Sequence, residues 1–181
     1  GNVKGGQWQL TGTNSIYRLN KNMFRVLLSH PSIRGDELWR HAMSHKWFLS
    51  WIGIMGSYSG TTTWGSTDWK QHTKNSLYVD VDTIPAVFTK VPRYFTSLVG
   101  ERLHWKVTGA HFIYKPLRGS FRVYIYEGDK ARTPQLANGF KWSLLWVGDQ
   151  GKSSGHTASG MWEKDSDTNT WLVTVATSPA G

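Results

Sequence analysis

Residues 8–26 and 105–123 align without gaps at a constant offset of 97. Eight of nineteen positions are identical, namely Trp8, Thr11, Gly12, Ile16, Tyr17, Phe24, Arg25 and Val26 in the first copy. A repeat of this length constrains architecture before any single motif does, because two copies of one pattern build two copies of one supersecondary unit. Lys46–Gly60 against Lys141–Gly155 adds eight identities in fifteen at offset 95. Leu77–Ala86 recurs as Trp171–Ala180 at offset 94, keeping Val79, Val81, Thr83, Pro85 and Ala86 as Val173, Val175, Thr177, Pro179 and Ala180. At 181 residues, the repeat divides the chain into units of roughly 90–100 residues, an ordinary domain size. Residues 1–60 form a first, incomplete unit, residues 61–160 a second, complete one, and residues 161–181 carry a strand that the first lacks.

The counterpart of Phe88–Ser97 occurs once, so the chain reads as a window on a longer tandem array. Trp171–Thr177, with Trp171, Val173 and Val175 as its apolar row, is expected either to fold back onto the first unit or to complete a neighbouring chain by strand addition. Folding back is favoured by the higher local concentration within one chain.

Within each unit the periodicity is that of strands. Period-2 alternation marks Gln9–Tyr17, Met23–Ser29, Lys46–Gly53, Leu77–Thr83, Val91–Leu98, Lys106–Tyr114, Ser120–Tyr126, Lys141–Gly148 and Trp171–Thr177. A polar turn at Asn20–Asn22 joins the first two. Pro31–Gly35, Glu37–His45 and Gly128–Gly139 read as loops, and Gly56–Ser66 as the break between units. Short, evenly spaced strands without a sustained helical period predict an all-β fold of tandem antiparallel β-sandwich units, about six strands each. Eleven Trp supply large apolar areas for small cores. Trp47, Trp51, Trp142 and Trp146 are expected in them, as are Phe121, Val123 and Ile125.

Composition excludes several classes. Hydrophobic residues at 39% against 18% charged describe a globular chain rather than a disordered one. No cysteine is present, which excludes disulfides and thiolate metal sites. No apolar run reaches the ~18 residues of a membrane-spanning helix. A net charge of +9 favours anionic partners in general. The basic residues are scattered and no nucleic-acid motif occurs, which argues against a dedicated nucleic-acid function.

The order of elements in Leu77–Gly148 resembles the H-type lectin domain, the family of snail and Discoidin-like N-acetylgalactosamine-binding agglutinins. The resemblance is carried by LYVDVDT (77–83), VPRYFTSL (91–98), HFIYKP (111–116), GSFRVYI (119–125) and WSLLW (142–146). It covers about 70 residues; the family's usual cysteines are absent. It implies a six-stranded sandwich, often trimeric, that binds sugars outside the cell.

Candidate site residues follow from the alternation. Arg122, Tyr124 and Tyr126 face away from the core row and form either a sugar platform or an interface. Trp8 and Trp105 precede Thr-Gly and either cap the sandwich end or stack on a ligand. His104 reads as a solvated surface imidazole or a donor to a sugar hydroxyl. Its copy is Gln7, so any role common to both is hydrogen bonding rather than proton transfer. Asp80 and Asp82 share one strand face, where carboxylates are solvated, accept from sugar hydroxyls or hold a divalent cation. Asp165–Asn169 begins like a calcium loop but has Thr170 in place of the required Gly and Ala176 in place of the bidentate Glu. No H-E-x-x-H, G-x-S-x-G or phosphate-binding Gly loop occurs, so no enzymatic activity and no cofactor are expected. The expected function is non-enzymatic carbohydrate binding by a secreted or surface-displayed protein, with glycans or glycoproteins as partners and homo-oligomers or polymers as assemblies. The alternative is a structural filament or matrix subunit that assembles by strand exchange.

Overall fold

Alternating apolar residues place four central strands back to back. The structure is a computed structural model that describes residues 10–12, 15–17, 23–45, 58–151, 163–165 and 170–172. In β5 (Ser76–Asp82) and β8 (Ser120–Tyr126), Leu77, Val79 and Val81 face inward with Phe121, Val123 and Ile125. The two strands pair antiparallel over seven positions, from Ser76↔Tyr126 to Asp82↔Ser120. β4 (Lys70–Thr73) and β7 (Ile113–Tyr114) flank them in the order β4-β5-β8-β7. In the opposing sheet, β6 (Arg93–Gly100) and β9 (Ser143–Asp149) pair antiparallel over seven positions. There β1 (Ser15–Tyr17), β2 (Arg25–Val26) and β3 (Ser59–Thr61) complete the order β2-β1-β6-β9-β3. β10 (Glu163–Asp165) and β11 (Thr170–Leu172) form a separate two-stranded sheet.

The fold is therefore an all-β sandwich whose pairings are antiparallel apart from β1 against β6. Leu98, Trp142, Leu144 and Trp146 meet the inward rows of β5 and β8 in one buried cluster. Two of the cluster's three tryptophans, Trp69 and Trp142, give their indole N–H to backbone carbonyls. Trp69 Nε1 donates to the Trp142 carbonyl at 2.9 Å, and Trp142 Nε1 to the Arg102 carbonyl at 2.6 Å. Their aromatic area is thereby buried without an orphaned donor.

Several expected elements are corrected. Glu37–His45 is not loop but the body of helix α1 (Gly35–Ser44), whose first turn carries Asp36 and Glu37 where the helix dipole favours anions. The expected loop Gly128–Gly139 ends in helix α2 (Pro134–Gly139). Thr133 caps it by accepting from the Leu136 N–H at 3.2 Å, and Pro134 occupies the first helical position. The expected strand Lys106–Tyr114 shrinks to Ile113–Tyr114, because His104–Lys106 winds into a 3-10 turn and Gly109 takes a positive φ of 92°. Of the expected strand Gln9–Tyr17, the described residues place Ser15–Tyr17 in β1, with Gly12 at φ 91°. The Gly-rich stretch Gly56–Ser66 contains β3, which pairs with β9 from Ser59↔Val147 to Thr61↔Leu145. Lys46–Gly53, with Trp47 and Trp51, lies outside the described residues.

The repeat detected in sequence is also one of geometry. β1 pairs with β2 through Ile16↔Val26 and Tyr17↔Arg25; β7 pairs with β8 through Ile113↔Val123 and Tyr114↔Arg122, the same register at offset 97. The bridge Thr11↔Ser29 recurs as Thr108↔Tyr126. Ser15 N–H donates to Gly12 O at 2.9 Å, and Phe112 N–H to Gly109 O at 2.9 Å. A side chain on Gly12 would collide with the Leu27 carbonyl, and one on Gly109 with that of Tyr124, again the matching position.

Candidate functional site

Because the inward residues of β5 and β8 are apolar, the outward ones are left to make a surface, and they are aromatic and charged. Tyr78 lies opposite Tyr124, and Asp80 opposite Arg122. Across the next pairing Tyr114 lies opposite Arg122, and on the far side Lys70 lies opposite Tyr78. Register alone thus gathers three tyrosines around one Arg–Asp pair.

Arg122 is the centre. Its Nε donates to Asp80 Oδ1 at 2.6 Å and its Nη2 to Asp80 Oδ2 at 2.7 Å, a bidentate fork. Its Nη1 donates to the Tyr124 hydroxyl at 3.3 Å, and the guanidinium carbon lies 4.3 Å from the Tyr78 ring centroid. Around it the Tyr124 ring meets Tyr78 at 5.6 Å, Tyr114 at 4.9 Å edge-on and His72 at 4.9 Å. The hydrogen bonds from Arg122 hold the Asp80 carboxyl below its ordinary pKa, and the same bonds push the guanidinium higher still. Lys70 is raised by its hydrogen bond to Asp68, 3.2 Å away. Tyr114 is 48% exposed and Tyr126 47%, so the face offers open rings beside fixed charge.

Two clefts lie elsewhere. One of about 430 Å³ is lined by residues including Leu28, His30, Arg34 and Lys106. The other, of about 380 Å³, is lined by residues including Ser59, Asp82 and Trp146.

Of the residues singled out in sequence, Asp80, Arg122, Tyr124 and Tyr126 come together on this face. Asp82 sits at its end, where Oδ1 accepts from the Ile84 N–H at 2.8 Å at the start of the 3-10 turn Ile84–Ala86. Asp80 and Asp82 do not act as a pair, since each carboxylate has a different partner; among the described residues no acidic or His cluster has metal-binding geometry. His104 is corrected outright: it is fully buried in the 3-10 turn rather than solvated, and no ligand on this face reaches it. Trp105 is half-buried in the same turn, its Cβ close to Gly12. Trp8, Val173 and Val175 lie outside the described residues; Trp171 lies in β11. Tyr78, Tyr114, His72 and Lys70 were not anticipated. The alternation in LYVDVDT that places Asp80 outward places Tyr78 beside it, and that signal was available.

Neither known protein families, curated proteins nor solved structures give a match to this chain.

Proposed function

We propose that the outer face of β4-β5-β8-β7 is a carbohydrate-binding surface of a lectin-like, tandem-repeat sandwich protein, acting outside the cell. The observation that carries this reading is the bidentate Asp80–Arg122 pair ringed by Tyr78, Tyr114 and Tyr124. Sugars present two chemistries at once: an apolar C–H face that packs on aromatic rings, and hydroxyls that are donors and acceptors together. An arginine already fixed by a carboxylate retains N–H donors, and the carboxylate retains lone pairs, both pre-organised at no further entropic cost. The face is open rather than a closed cavity, which suits an extended oligosaccharide lying across the strands. Nothing on it resembles an activated nucleophile or an acid–base pair poised for hydrolysis, since the carboxylate is held ionised by Arg122.

The test is a glycan array run with the wild-type chain and with Tyr124→Ala. Wild-type binding to a defined oligosaccharide set is expected, weakened about tenfold by the loss of one stacking ring. Absence of any bound glycan, or equal binding by the variant, would sink the reading.

A further inference from the structure

The buried cluster holds one unanswered donor. Trp69 and Trp142 each give the indole N–H to a backbone carbonyl, whereas Trp146 Nε1 has no hydrogen-bond partner among the described residues. Trp146 is only 7% exposed, and a donor that deep ordinarily meets a partner. The atom is not sealed in the core, and Trp146 lines the cleft of about 380 Å³. Gly60 makes room for the indole there. It lies opposite Trp146 in the pairing of β3 with β9, and a Cβ on it would fall 2.7, 2.8 and 2.9 Å from the indole Cζ2, Cε2 and Nε1. Facing the indole from the other sheet is Asp82. Its Oδ1 is held by the Ile84 N–H at 2.8 Å, and its Oδ2 has no partner among the described residues. Thr61 adds an exposed hydroxyl, and Pro85 and Ala86 add apolar surface.

We infer that this cleft is a subsite for one neutral sugar residue, with Trp146 Nε1–H donating to a sugar oxygen and the Asp82 carboxylate accepting from a neighbouring hydroxyl; the inference rests on the carbohydrate reading of the adjoining face. The pairing of groups selects the ligand. A cation is opposed by the indole N–H, and an anion by the Asp82 carboxylate. A neutral ligand that accepts at one atom and donates at the next answers both, and a vicinal diol does so. The C–H groups of the same ring pack against Pro85 and Ala86. The volume lies within the roughly 300–1,000 Å³ of small-molecule sites. Asp82 joins the cleft to the outer face. It follows Asp80 by two residues on β5, roughly 7 Å along the strand. Tyr78, Asp80 and Asp82 thus form one outward row that runs from the ring cluster to the mouth of the cleft. An oligosaccharide stacked on Tyr78 and Tyr124 extends along this row and lowers its last residue between β3 and the turn Ile84–Ala86.

The indole N–H resonances read this site directly. The Trp146 signal in a proton–nitrogen correlation spectrum is assigned by its loss in Trp146→Phe. If that variant does not fold, the nuclear Overhauser contact of the indole proton with the Gly60 α-protons assigns it instead. The wild-type chain is titrated with the methyl glycosides of galactose, glucose, mannose and N-acetylglucosamine. N-methylacetamide serves as a donor–acceptor that is not a sugar. At least one glycoside is expected to shift the Trp146 signal saturably. Asp82→Asn keeps an oxygen for the Ile84 N–H and is expected to weaken that glycoside about tenfold. A Trp146 signal unmoved by every glycoside, an affinity indifferent to Asp82→Asn, or an equal shift with N-methylacetamide would overturn the subsite. The two readings fail separately. Array binding that depends on Tyr124, with a silent Trp146 signal, removes the cleft and leaves the outer face. A shifted Trp146 signal, with array binding indifferent to Tyr124→Ala, upholds the cleft and removes the face.

Discussion

His104 carries an imidazole into a fully buried position beside β1, where Ser15 Oγ donates to its carbonyl at 3.2 Å. Burial pushes its pKa down to about 4, against the partial support of backbone at Ile16 and Arg102. The folded chain therefore holds it neutral, while the unfolded chain protonates it near 6.5. The unfolded state binds more protons between these values, so this contribution to stability is complete above pH 6.5 and is lost as pH falls towards 4. The loss is at most about 3 kcal/mol. Asp80 acts in a different window: its folded pKa is depressed, so its contribution is present above the ordinary carboxylate value and is lost only below it. Urea unfolding across pH should show a fall in midpoint between pH 6.5 and 4 that His104→Gln reduces, His111, also lowered by burial, contributing the remainder; a flat wild-type profile there would contradict the buried neutral imidazole. The sequence showed a His next to a Trp but not its burial. Burial here depends on β1, some ninety residues away, packing onto the turn, and no local pattern encodes that.

At the scale of elements, strands were legible where one face is buried and the other wet. β8 alternates throughout, β5 and β9 do so after a buried first residue, and β6 does so up to Leu98, beyond which Val99 and Gly100 are buried as well. The helices were not. α1 spans ten residues and buries none of them, leaving Trp39 64% exposed; its apolar side, Leu38, Trp39, Ala42 and Met43, extends over fewer than three turns, too short to stand out as a sustained helical period. α2 has six residues, less than two turns. Its Thr-Pro start was the only readable mark. Of the candidate face, half was legible: the outward residues of β8 followed from alternation, but their pairing with β5 required the register. The two Gly turns are the most testable elements. Gly109 holds φ 92° against the Tyr124 carbonyl, and Gly12 holds φ 91° against that of Leu27. Gly109→Ala should destabilise the chain by about 2 kcal/mol or more, lowering the thermal midpoint by several degrees. Gly12→Ala should act in the same direction, and calorimetry of the two variants compares them directly.

For the whole molecule, the question is whether a chain of net charge +9 binds by charge or by shape. A basic surface attracts any polyanion, and such binding weakens steeply with salt because counterions are released on association. The candidate face is built differently. Arg122 is neutralised by Asp80, and Lys70 is paired with Asp68, so the fixed charges at the centre of the ring cluster are largely answered within it. On the proposed carbohydrate-binding reading, recognition there rests on ring stacking and hydrogen bonds, which salt screens little. The two modes separate in one titration. Between roughly 0.05 and 0.5 M salt, affinity for a neutral oligosaccharide should change by less than about twofold, while retention on a sulfated polysaccharide should fall by at least about tenfold. Tyr124→Ala should weaken the first and spare the second, because the ring contributes apolar area and no charge. If both ligands follow the same steep salt dependence and ignore the substitution, the aromatic face is not the binding surface, and the net charge alone accounts for association.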